Sequence, residues 1–154
     1  MIRNAQVADL PRLMELGERL HELSPYKDVP TDFQTCASTL GHCISNAFGF
    51  AVVAEHDGEI TGFMLGAAVP LWFSKRRAAS DIVTYSEGAG DGYKMIKKFI
   101  SWAWSLPLVV EVTLAQSSGI NTERSGVLYE RAGLKRVGNI YTAVRIEQAA
   151  EAAA

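Results

Sequence analysis

The stretch that most constrains this chain is residues 80–114. An apolar, β-branched run (Ile82-Val83-Thr84-Tyr85) leads into Gly88-Ala89-Gly90-Asp91-Gly92 and from there into a helical pattern. In that pattern Ile96, Phe99, Ile100 and Ala103 share one face, Lys94, Lys97 and Lys98 lie mostly on the other, and Leu106-Pro107 ends it. Residues 108–114 follow as a near-continuous apolar run, which predicts a strand buried on both faces. Strand, helix and strand in this order form a crossover between parallel strands, and such crossovers are right-handed.

The glycines carry a chemical meaning as well as a structural one. A helix that starts where a strand stops leaves the N–H groups of its first turn unpaired, with the helix dipole behind them. Glycine admits left-handed backbone angles and places no Cβ between the backbone and a phosphate. The N–H groups of Gly88, Ala89, Gly90, Asp91, Gly92 and Tyr93 therefore make a candidate anion seat, and Lys94 is a source of extra charge. A tight turn capped by Asp91 accounts for the glycines equally well, so the surrounding chain has to decide.

Residues 2–7 read as a first strand, and Asp9 as the cap of a helix over about 10–24 with Pro11 in its first turn. Thr31 or Asp32 opens a second helix, striped by Phe33, Cys36, Ala37, Leu40, Cys43, Ile44 and Ala47 and ended by Gly49. The period then changes. Residues 50–55 and 60–69 are strands joined at Asp57-Gly58, a strong hairpin signal. Residues 71–79 connect to the strand at 80–85. Residues 122–132 form a short helix with Gly133 at C′, and residues 134–137 and 140–146 a last hairpin. The expected fold is α/β (α+β), in the order β-α-α-β-β-β-α-β-α-β-β. One domain spans 1–147, and 148–154 is a flexible Ala-rich tail.

At 154 residues, 48% apolar and 21% charged, the chain can bury a core without staples. A net charge of −2 argues against a nucleic-acid partner. No apolar run is long enough for a membrane span, and the N-terminus lacks the pattern of a signal peptide, so a cytoplasmic location is expected. Cys36 and Cys43, seven apart on one helix, would lie about 10.5 Å apart along its axis, too far for a disulfide. His21, His42 and His56 have no metal-ligand spacing, and no metal is expected.

Three passages then carry a resemblance to the GCN5-related N-acetyltransferases, over about residues 1–146. Met1-Ile2-Arg3 with Ala8-Asp9-Leu10-Pro11 resembles that family's common start, and Glu87-Gly88-Ala89-Gly90-Asp91-Gly92 resembles its pyrophosphate loop. Leu128-Tyr129-Glu130-Arg131-Ala132-Gly133-Leu134 resembles its C-terminal signature, with Leu134 in place of the usual Phe. Glu87 stands where the family has Arg or Gln. The resemblance implies a mixed, mostly antiparallel sheet of six to seven strands with about four helices. It also implies direct acetyl transfer from acetyl-CoA to a primary amine of a small molecule or protein.

On that resemblance, backbone groups of Val83, Thr84 and Tyr85 near a strand bulge hold the thioester oxygen, and Asn121 or Thr122 touches the cofactor. Tyr129 is the acid that meets the leaving thiolate, although as a core residue beside Leu128 it would need no chemical role. A lysine-like amine is neutral only about 0.04% of the time at pH 7, a cost of about 4.6 kcal/mol. Asp81 is the first candidate base for deprotonating it, and Glu22 and Glu55 are weaker ones. Tyr26, Trp72 and Phe73 are candidate pocket walls and equally core residues or dimer contacts, and a homodimer is plausible. Lys75-Arg76-Arg77 would meet the 3′-phosphate of CoA, an acidic substrate, or only solvent. A different class of function, a catalytically silent acyl-CoA-binding or sensing module, is motivated by Glu87 and by the loop being shorter after Tyr85 than in that family. A Rossmann-type nucleotide binder fits less well, because the loop comes late and no Walker Lys-Ser/Thr follows it.

Overall fold

The structure is a computed structural model and describes residues 1–145. Five strands form one sheet: β1 (Ile2–Asn4), β2 (Gly49–His56), β3 (Glu59–Pro70), β4 (Arg77–Ser86) and β5 (Val109–Thr113), hydrogen-bonded in that order. β1 to β4 pair antiparallel with one another, and β4 and β5 run parallel. The helices are α1 (Leu10–Leu23), α2 (Phe33–Ser45), α3 (Asp91–Ser105) and α4 (Thr122–Arg131). The α/β order expected from sequence therefore holds through α4.

Alternation along the strands builds two cores. Ala51, Val53, Phe63 and Leu65 face Leu13 and Leu16 of α1 and Leu40 and Cys43 of α2. Phe50, Val52, Ala54, Met64 and Ala68 face Met95, Phe99 and Ala103 of α3. On β4, Ala79 belongs to the α3 side but Val83 and Tyr85 to the α1 side, although all three numbers are odd. The cause is a bulge. Leu65 pairs with Val83 and Gly66 with Asp81, so Ile82 is an extra residue that inverts the alternation. A second bulge at Thr61 does the same on β3, where Ala54 pairs with Gly62 and Glu55 with Ile60.

Local signals explain most boundaries. Asp32 caps α2, its Oδ2 accepting the Thr35 N–H at 2.7 Å. Asp57 and Gly58 both take positive φ (51° and 82°), as a two-residue turn of this type requires. Gly133 (φ 95°) ends α4 in a Schellman arrangement: its N–H donates to Glu130 O, and the Leu134 N–H to Tyr129 O.

Five expectations need correction. Asp9 does not cap α1 with its side chain. The carboxylate reaches back to the Gln6 N–H (2.7 Å) and pairs with Arg3 (2.8 Å), and a 3-10 turn at Val7–Asp9 precedes the helix. Arg3 holds the Asp9 carboxyl below its ordinary value. The sheet has five strands among the described residues, not six to seven. Residues 134–145 are irregular where the last hairpin was expected, and Ile146 and the tail lie outside the described residues. As a consequence β5 is an edge strand with Val110 half-exposed, not a strand buried on both faces. Finally, β4 starts at Arg77, so part of the expected connection at 71–79 is strand. No helix among the described residues is long and apolar enough to cross a membrane.

The α3 core is organised around Phe99, which is fully buried, 5.2 Å from the Phe50 ring centroid, and against the backbone of Gly66. Phe99→Ala is expected to lower stability by about 3–5 kcal/mol, as read by urea denaturation. A loss below about 1 kcal/mol would contradict this packing.

Candidate active site

The site exists because β4 and β5 part company. Their pairing stops at Ser80 and Thr113, while β4 continues to Ser86. Beyond that point one edge of β4 has no strand beside it among the described residues, and alternate backbone groups there face away from the sheet. Where the strands separate, the Asp81 side chain replaces the missing main-chain partner: Oδ1 accepts the Ala115 N–H at 3.3 Å. The resulting cavity has a volume of about 940 Å³ and runs from α1 and α2, past β4, to the N-termini of α3 and α4. That is at the large end of the range for small-molecule sites.

Of the residues singled out from sequence, Asp81, Val83, Thr84, Tyr85, Gly88, Ala89, Gly90, Gly92, Tyr93, Asn121 and Tyr129 line this one cavity. Asp91, Lys94 and Thr122 do not. Asp91 is fully buried under the loop, Lys94 is on the outside of α3, and the Thr122 carbonyl accepts a bond from Gln116. Asn121 (φ 46°) stands at the start of α4 with no side-chain capping bond.

The glycine turn meets the physical demands of an anion seat. The Gly88 N–H donates to Ser86 Oγ (3.1 Å), and the Asp91 N–H points to Gly88 O (3.4 Å). Among the described residues, no protein acceptor takes the N–H groups of Ala89, Gly90, Gly92 or Tyr93. Gly90 needs its positive φ of 79°. Gly92 does not, and a Cβ built there would meet nothing within 4 Å of protein. Neither backbone angle nor packing calls for glycine at 92, so the space it leaves open belongs to the cavity and to whatever occupies it.

The electrostatics divide by position. Glu87 turns toward α1, where Arg19 Nη1 donates to it at 2.6 Å, and the pairing holds its carboxyl below the ordinary range. Burial pushes the Asp81 carboxyl up, against the pull of the Ala115 N–H. Burial, with the charge of Asp81, pushes the Tyr129 phenol up to about 12. Tyr129 thus stays protonated at neutral pH. Arg124 brings one further cation to the cavity wall.

Other candidates lie elsewhere. Tyr26 does line the cavity, but Trp72 and Phe73 stack on each other in solvent, 94% and 68% exposed. Arg77 lies 3.5 Å over the Phe48 ring and donates to Ala68 O, so it is a structural cation, and Lys75 and Arg76 are exposed outside the cavity. Glu55 is paired with Arg3, and neither it nor Glu22 lines the cavity. Cys36 and Cys43 are free thiols. Sequence reasoning missed the partnership of Arg19 with Glu87 and the contact of His56 with Asp91 (2.7 Å). Both join residues far apart in the chain and leave no periodic trace.

Because folding raises the Asp81 carboxyl, the folded protein keeps that proton to higher pH than the unfolded chain. Stability is therefore lost as pH rises from the ordinary carboxylate value through the folded one. Asp81→Asn removes this titration and keeps an oxygen for the Ala115 N–H. The variant is expected to melt at higher temperature than the parent at pH 7, with the gap closing as pH falls below about 3.9. An Asp81→Asn protein that melts lower at pH 7 would contradict the assignment.

No protein-family profile and no curated protein sequence matches this chain. Solved structures do match in fold. An acetyltransferase of Trypanosoma brucei is 20% identical with a TM-score of 0.69, over 94% of this chain and 99% of its own. A ribosomal-protein-alanine N-acetyltransferase of Brucella melitensis biovar Abortus is 17% identical with a TM-score of 0.65, over 94% and 99%. A predicted acetyltransferase of Clostridium acetobutylicum, solved with acetyl-CoA, is 14% identical with a TM-score of 0.66, over 94% and 95%. The fold of this chain is therefore one found in acetyltransferases, in agreement with its resemblance to the GCN5-related N-acetyltransferases.

Proposed function

We propose that this chain transfers the acetyl group of acetyl-CoA directly to the amine of a small molecule or peptide, without an acyl-enzyme. One observation carries the reading. The unbonded N–H groups of Ala89, Gly90, Gly92 and Tyr93 line the same cavity as the open edge of β4 and the Tyr129 side chain. An elongated diphosphate ester with a thioester at its other end needs such an arrangement, with donors for the diphosphate at one place and donors for a developing oxyanion at another.

In this reading the first turn of α3 binds the diphosphate, and the cavity left open at Gly92 admits it. The β4 backbone just past the Ile82 bulge supplies the oxyanion donor, because the bulge re-aims the strand where β5 no longer covers it. Tyr129 donates a hydrogen bond to the departing sulfur. Full transfer of its proton to a thiolate of pKa about 8.5 would be uphill, so the phenol stabilises the thiolate chiefly as a donor. Asp81 accepts the proton that the amine loses as the C–N bond forms and the C–S bond breaks. Its raised carboxyl makes it a better base than an exposed aspartate.

The silent acyl-CoA-binding module rests on the short loop after Tyr85 and on the charge of Glu87 beside a diphosphate. The ion pair with Arg19 offsets that charge, which favours the enzyme reading. Thiol release from acetyl-CoA across a panel of primary amines separates the two. Turnover is expected with at least one amine, whereas tight acetyl-CoA binding with no turnover on any amine would leave the silent module. Tyr129→Phe should lower kcat by about 10-fold to 100-fold with little change in acetyl-CoA affinity, and Asp81→Asn should lower it by about 100-fold. Unchanged kcat in either variant would remove that residue from the mechanism.

A further inference from the structure

We propose that His56 and Asp91 are a positioning pair that sets the shape and the charge balance of the anion seat, an inference that rests on the acetyl-CoA reading above. Asp91 opens α3 and is fully buried, yet it lines no part of the cavity. Its Oδ2 lies 2.7 Å from His56 Nε2 and 3.5 Å from Thr61 Oγ1. Among the described residues its Oδ1 has no hydrogen-bond partner, and it lies 3.9 Å from Lys94 Nζ. A buried carboxylate with one oxygen unsatisfied is costly, and an apolar side chain of similar size would fill the space at less cost. The fold tolerates the carboxylate because of where it sits.

It sits under the seat. A Cβ built on Gly88 would overlap Asp91 Oδ2, so the carboxylate is the floor on which Gly88 rests, directly before the free N–H groups of Ala89 and Gly90. Both partners come from the β2–β3 hairpin. His56 is the last residue of β2, and Thr61 is the bulged residue of β3, whose carbonyl also accepts the Glu87 N–H at 2.9 Å. The hairpin therefore holds the loop at three points: Glu87 through its backbone, and Asp91 through His56 and Thr61. The charge adds a second consequence. A carboxylate behind a diphosphate seat repels the ligand unless donors and cations face it, and here His56 is its closest hydrogen-bond partner and Lys94 the nearby cation. Taking away His56 would leave Oδ2 without its closest hydrogen-bond partner, and the carboxylate less well held beneath the seat.

The test is a mutant cycle read by calorimetric binding of acetyl-CoA and by steady-state kinetics. His56→Ala is expected to weaken acetyl-CoA binding and raise its KM by about 10-fold, the loss of one charge-assisted hydrogen bond, with kcat and the KM for the amine within about twofold. Asp91→Asn in the His56→Ala background needs neither the charge nor the strong donor, and should bring acetyl-CoA affinity back to within about threefold of the parent. A pair that only supports folding would lower the melting temperature and kcat together and show no such recovery. If His56→Ala does not fold, His56→Gln, which keeps a donor, should fold and show a smaller loss of affinity. Parent-like acetyl-CoA affinity in the His56 variants, or a folded double variant with no recovery, would overturn the proposal. A parent protein that binds no acetyl-CoA would instead overturn the function proposed above, an outcome the variants cannot mimic.

Discussion

The separation of β4 from β5 is the constraint on which the rest of this structure depends. Parallel strands have to be joined by a crossover, and here the crossover helix α3 starts from a strand that has already left its partner. That places a helix N-terminus, an unpaired strand edge and the α4 tyrosine around one opening. The Ile82 bulge lets β4 serve both cores, with Ala79 on the α3 side and Val83 and Tyr85 on the α1 side. Asp81 takes over a backbone role at the parting point, and in doing so becomes buried enough to hold its proton more tightly.

Two bulges on adjacent strands do different work in this arrangement. The one at Ile82 re-aims β4 toward the cavity. The one at Thr61 turns a carbonyl and a hydroxyl of β3 toward the loop that carries the free N–H groups. Neither depends on a loop of its own, so the anion seat hangs from the sheet. Donors held in this way are preorganised, as the proposed binding of a diphosphate requires.

Much of this was legible in the sequence. The strand-glycine-helix order at 80–105, the Asp57-Gly58 hairpin, the Asp32 cap and the Gly133 stop all act through neighbours in sequence, and each stands where its local chemistry places it. The failures also have physical causes. Asp9 carried a capping signal, but Arg3 offered its carboxylate a better partner from across a turn. Residues 108–114 read as doubly buried because apolar content says nothing of which strand is an edge. In the site, Asp91 looked like a ligand-facing residue of the loop, and only the fold shows it turned inward toward His56. Glu87 looked like a flaw in the anion seat until its distant partner Arg19 was in place.

The central claim is that the first turn of α3 receives the diphosphate of acetyl-CoA. An amide-resolved NMR titration of the intact chain with acetyl-CoA tests it most directly, because it reads the very donors the claim invokes. The largest saturable shifts should fall on the N–H groups of Ala89, Gly90, Gly92 and Tyr93, the four that have no protein acceptor. Saturation with acetyl-CoA that leaves those four signals in place would contradict the account.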